Sequence, residues 1–108
     1  MTDSLDAFED QVRTAAASFV SSERVSIVVR TLLTVRLRVD VTAARFVAVF
    51  FNVGNGRMDL SVIDHGRRIF GYDNLGGWHE HPLGRPDDHR QCEPPTLGAF
   101  FQKVAELP

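Results

Sequence analysis

The chain has 108 residues, 44% of them hydrophobic and 24% charged, with a formal net charge of −2 and a single cysteine. That length predicts one domain over residues 1–108, burying about 60–70% of its unfolded surface. Cys92 has no second cysteine to pair with, which excludes a disulfide framework and points to a reducing cytoplasm. The longest apolar run, "FVAVFF" at 46–51, is too short for a bilayer, and the acidic start has no basic lead into an apolar stretch, so neither a membrane nor export is expected.

The first periodic segment is helical. Leu5, Phe8, Val12, Ala15, Ala16 and Phe19 recur three and four apart with Asp6, Glu9, Asp10 and Arg13 between them, so an amphipathic helix is expected from residue 4 to about 21. Asp3 or Ser4 is the expected N-cap. Residues 25–32, "VSIVVRTL", fit either a helix extension or a short first strand, and the strand is the preferred reading.

From residue 33 the period changes to two. Leu33, Val35, Leu37, Val39 and Val41 alternate with Thr34, Arg36, Arg38 and Asp40, and further strands are expected over Arg45–Asn52, Arg57–Asp64 and Arg68–Asp73. The loops "TAA", "VGNG" and "HG" are short enough for hairpins. Their lengths pair Val39 with Val47, Leu37 with Val49 and Val35 with Phe51, then Phe51 with Met58, Val49 with Leu60 and Val47 with Val62, and finally Val62 with Ile69. One face is then continuously aliphatic. The other carries Arg36, Arg38, Phe46, Ala48, Phe50, Asp59, Ser61, Ile63, Arg68, Phe70 and Tyr72, a mixture of cations and rings that could hold phosphates and stack bases. A plain structural role, with the Arg stems covering the rings beneath a loop or a second copy, would produce the same pattern.

Charge is uneven along the chain. Residues 24–68 hold eight Arg against three Asp, whereas residues 1–23 and 69–95 are net acidic. Residues 74–95 are expected to form a long loop rich in Gly, Pro and His, and Thr96 is expected to cap a short C-terminal helix carrying Leu97, Phe100, Phe101, Val104 and Leu107. The fold class is therefore α+β: an N-terminal helix, an antiparallel meander of four to five strands, the loop and a second helix.

The loop stretch "WHEHPLGRPDDH" at 78–89 concentrates three of the four histidines. RNA cleavage needs one group to deprotonate a 2′-hydroxyl, another to protonate the leaving oxygen and a cation for the developing charge. His79 and His81 are candidate acid and base, Asp73 a candidate orienter and Tyr72 a candidate donor, with Arg36, Arg38, Arg68, Arg85, Phe50 and Phe70 as nucleic-acid contacts. Such chemistry needs no cofactor. The weaker alternative is a metal clip of His79, His81 and His89. Asp73 and Asn74 could equally end a strand and cap a turn, and Cys92 has no activating base beside it in sequence.

The segment "VFFNVGNGRMDLSVIDHGRRIFGYDNLGGWHEHPLG", followed by His89, "EP" and an amphipathic helix, resembles the TumE-like toxins of toxin-antitoxin modules. The likeness covers roughly residues 33–106 and is most specific at "GRRIFGYDN" and "WHEHP", while residues 1–30 match only in helical character. It implies a small α+β toxin, an antitoxin encoded by a neighbouring gene and, by analogy, an RNA target. The matched positions are Arg68, Tyr72, Asp73, Asn74, His79, His81, Pro82 and His89; "LGGW" departs from the histidine-richer pattern of the family and weakens a metal cluster. A non-enzymatic module that docks a protein or a second copy through its Arg and aromatic face is the competing expectation.

Overall fold

The computed structural model describes residues 4–19 and 24–108. Helix α1 spans Leu5–Ala17, and the Ser4 hydroxyl accepts from the Ala7 N–H at 3.1 Å, so Ser4 is the cap. The helix ends at Ala17 with Ser18 as its C-cap, short of the expected end near residue 21, and Phe19 is exposed beyond the helix and not part of its buried stripe; Asp3 lies outside the described residues. Strands β1 (Val25–Arg30), β2 (Thr34–Asp40), β3 (Arg45–Asn52), β4 (Met58–Asp64), β5 (Arg67–Asp73), β6 (His79–His81) and β7 (Arg90–Gln91) follow, then α2 (Leu97–Glu106), capped by Thr96. All seven strands form one antiparallel sheet in chain order. The α+β class and both helices stand, and residues 25–30 are a strand.

Two expectations are corrected. The first is the strand count: the long loop contains β6 and β7, which pair with each other and with β5 and extend the meander beyond four or five strands. Neither is long enough to show an alternating pattern, and both are flanked by Gly or Pro, which reads as loop.

The second is a register. The pairings expected between β2, β3 and β4 are found as written, including Val39 with Val47 and Val49 with Leu60. The turn at His65 and Gly66 has positive φ at both residues, 50° and 80°, as a two-residue hairpin turn requires, and it pairs Ile63 with Arg68. One step later the register slips and Val62 faces Phe70, not Ile69. This β-bulge inserts Ile69 as the extra residue and inverts every side chain beyond it. Phe70 and Tyr72, expected on the cation-rich face, are instead buried on the helix side, each 5% exposed. Gly71 is what permits the slip, because a Cβ there would lie 2.4 Å from the Leu60 carbonyl oxygen.

Both helices cover one face. Leu5, Phe8, Val12 and Ala16 of α1 and Phe100, Phe101 and Val104 of α2 pack on Val35, Leu37, Val39, Val47, Val49, Phe51, Leu60 and Val62 in a single core. Phe8 stacks on Phe51 at 4.4 Å, and Phe70 lies between Tyr72 and Phe100 at 5.4 and 6.3 Å. Among the described residues no helix covers the opposite face.

Candidate functional site

The pairing sets the open face as a grid. One cross-strand row runs Arg36, Phe50, Asp59, Asp73, His79 from β2 to β6, and the next runs Arg38, Ala48, Ser61, Gly71, His81. Neighbouring side chains in such a row stand about 5 Å apart. The bulge therefore brings to this face what an unbroken register would have turned away. Asp73, His79 and His81 share a surface with Arg36 and Phe50.

At the β2–β3 end each guanidinium lies over a ring. The Arg36 Cζ is 4.6 Å from the Phe50 centroid and the Arg38 Cζ is 3.8 Å from that of Phe46. Arg38 also pairs with Asp40 at 2.8 Å. Arg36, Arg57, Arg67 and Arg68 form no ion pair among the described residues, so their charge is available to a ligand. A groove of about 450 Å³ lies among these side chains, with Arg36, Arg57, Asp59 and Ser61 in its walls. It continues past Ser61 and Ile63 to Arg68, Pro86 and Asp87. Pro86 and Asp87 of the 82–89 segment line the sheet there.

At the β5–β6 end the histidines meet. The His81 Nε2 lies 2.5 Å from an Asp73 carboxylate oxygen, and its Nδ1 lies 3.1 Å from the Pro86 carbonyl. A carbonyl only accepts, so Nδ1 donates to Pro86, and Nε2 is the ring nitrogen bonded to Asp73. At 1% exposed, His81 is fully committed: it ties the loop to the sheet and has no nitrogen left for substrate or metal. Burial alone would raise the Asp73 carboxyl, but the bond from His81, the Leu75 N–H and the fields of His81 and His79 outweigh it and hold it below its ordinary value.

His79 and His89 differ from His81. The His79 Nδ1 is buried and has no hydrogen-bond partner among the described residues. The exposed His89 ring stands edge-to-face to His79 at 6.0 Å and to His81 at 4.7 Å. Two imidazoles with uncommitted nitrogens therefore sit at the end of the row. Among the described residues no group of three or more His, Cys, Asp or Glu is arranged to hold a metal ion. His79, His81 and His89 do come together, but through ring edges and with His81 already bonded at both nitrogens.

The remaining candidates lie elsewhere. On the helix side, the Tyr72 hydroxyl accepts from Lys103 Nζ at 2.7 Å and donates to Glu80 at 3.3 Å. Burial raises its pKa, Lys103 opposing and Glu80 reinforcing the rise, so Tyr72 is a structural donor facing away from His79. Phe70 is likewise unavailable for base stacking on the open face. Arg85 points into solvent and pairs with Asp88 at 3.7 Å. Burial, followed by the field of Glu80, pushes the Cys92 thiol up and away from a nucleophilic thiolate. Asp59, Ser61 and Arg57 were not singled out as site residues by sequence reasoning. Alternation already put Asp59 and Ser61 on the open face, but only the groove shows why they matter.

No family model, no curated protein and no solved structure matches the chain. The likeness to TumE-like toxins therefore has no support beyond the residues quoted for it. No helix among the described residues is long and apolar enough to cross a membrane.

Proposed function

We propose that the open face binds single-stranded RNA and that His79 and His89 cleave it by acid–base chemistry without a metal, as a toxin-type endoribonuclease would. The observation that carries this reading is the single row in which Arg36 and Phe50 lead through two carboxylates to His79, with His89 beside it. One imidazole takes the 2′-hydroxyl proton, and the 2′-oxygen attacks phosphorus. The bond to the 5′-oxygen breaks, and the other imidazole gives that oxygen its proton, leaving a 2′,3′-cyclic phosphate and a 5′-hydroxyl. Arg68, a cation on the same face beside Pro86 and Asp87, can carry the extra phosphoryl charge. His81 and Asp73 position β6 and the loop. The toxin role, with an antitoxin encoded by a neighbouring gene, is supported by the motif resemblance alone.

The test is incubation of purified protein with single-stranded RNA. Cyclic-phosphate ends should appear, vanish when the cleaved nucleotide is 2′-deoxy, and fall about 10²–10⁴-fold in His79→Ala or His89→Ala. Cleavage indifferent to both substitutions, or none at all, would overturn the reading.

A second reading is favoured by β1. Its Ile27, Val28 and Val29 are 46, 58 and 46% exposed along a sheet edge, with Leu32 and Leu33 beyond them. Antiparallel pairing of this edge with a second copy would join two sheets with their open faces on the same side. Sedimentation of wild type and Val28→Lys decides it: a dimer lost in the variant supports the pairing, and a monomeric wild type removes it.

A further inference from the structure

We infer that the groove beside Phe50 selects a guanine base, with the Asp59 carboxylate as its reading group; this rests on the RNA-binding reading above and adds a specificity to it. The argument begins with the sign of the groove's charges. Its rim is cationic, with Arg36 and Arg57 in no ion pair among the described residues, and its floor is apolar. Asp59 is the carboxylate among its walls. The Ser61 hydroxyl donates to Asp59 Oδ1 at 2.7 Å, which fixes the carboxylate while leaving its second oxygen and further lone pairs unused. No ion pair within the described residues neutralises it.

A ligand that fits must therefore be flat, anionic at one end and a hydrogen-bond donor at the other. A nucleotide meets the first two conditions, and the third discriminates among bases. Guanine presents N1–H and N2–H side by side, which a carboxylate accepts in the two-pronged geometry it offers arginine. Cytosine and adenine offer only an exocyclic amino group beside a ring acceptor. Uracil sets one N–H between two carbonyls, which the carboxylate repels. The expected order is guanine first and uracil last.

The stacking partner is also in place. The Arg36 guanidinium carbon stands 4.6 Å over the Phe50 centroid, so a base that enters the groove meets an arginine-on-ring platform directly across the strands from Asp59. Two strand spacings, about 10 Å, separate Asp59 from His79 along the row. A base held at Asp59 thus leaves its own or the adjacent phosphate within reach of the imidazoles.

Titration of the whole chain with a uridine heptamer, and with the same heptamer carrying guanosine at its centre, tests this at fixed low salt. The guanosine-containing strand should bind about tenfold more tightly, and Asp59→Asn, whose amide replaces one acceptor by a donor and removes the charge that repels uracil, should abolish that difference, with uridine binding as tight as in wild type or tighter. Asp59 is half exposed, so the variant should keep its fold, checked by thermal unfolding. If both strands bind alike and both lose affinity with salt, the guanine assignment is wrong and the RNA interface stands. If neither binds, both fall. Preference retained in Asp59→Asn would also overturn the assignment.

Discussion

Phe50 and Phe51 are neighbours on β3, yet they belong to different materials. Phe51, 1% exposed, stacks on Phe8 inside a core shared by both helices. Phe50 lies half-buried beneath the Arg36 guanidinium on the face opposite both helices. Alternation along a strand separates the two by one peptide unit, and the same alternation runs through β2, β3 and β4. The covered face is aliphatic and aromatic because it excludes water. The open face spends its rings as supports for charge, a poor way to build a core and a good way to meet an anion.

Truncating one ring on each face is the strongest way to break that comparison. Phe51→Ala should cost about 3–5 kcal/mol in urea unfolding, since it empties a core site. Phe50→Ala should cost about 1 kcal/mol or less and leave the unfolding slope unchanged. Equal losses would mean that the open face is packed against something in solution. RNA affinity should respond in the opposite order, falling in Phe50→Ala and holding in Phe51→Ala at temperatures where it stays folded.

The next largest effect is expected at the point where the two faces exchange strand residues. Gly71→Ala places a methyl against the Leu60 carbonyl, which is backbone and cannot rotate aside. A loss of about 3 kcal/mol is expected, together with weakened protection of the β4–β5 amides in hydrogen exchange. A variant as stable as wild type would show that the bulge needs no glycine.

That bulge also marks where the sequence stopped being readable. From Val35 to Val62 the apolar period and two loop lengths over-determine the pairing, and the structure agrees residue by residue. Past Ile63 both candidate registers keep an apolar residue opposite Val62, Ile69 in one and Phe70 in the other, so hydrophobicity could not choose. The register slips where Gly71 allows the close approach to Leu60, and Phe70 and Tyr72 change faces. The histidine stretch was legible as chemistry but not as geometry. Nothing in "WHEHP" told that His81 would be bonded at both nitrogens while His79 kept one free. That distinction depends on a loop carbonyl and on a carboxylate eight residues upstream.

The joint between loop and sheet gives a smaller, pH-dependent signal. The Asp73 carboxyl is held below its ordinary value in the folded chain, so the folded state favours its ionised form. The stability this supplies is present in full above the unfolded value near pH 4 and is lost as pH falls through the lower, folded value. Asp73→Asn should be about 1–2 kcal/mol less stable at pH 7, and its deficit should shrink below about pH 4, where wild type loses the same contribution. A deficit constant down to strongly acid pH would place the effect in packing and not in the His81 pair.

The smallest effect on the fold should be the largest on the interface. Arg36 and Arg57 are surface cations with no ion pair among the described residues, so replacing either by Ala should change stability by no more than about 0.5 kcal/mol. If each contacts one phosphate, each substitution should reduce the slope of log affinity against log salt by about 0.7, the value for one phosphate on a single strand. Arg85→Ala is the internal control, because that side chain reaches into solvent beside Asp88 and off the grid. A slope that shifts equally for all three would make the attraction a property of net charge. A shift confined to Arg36 and Arg57 would tie it to the groove that both side chains line.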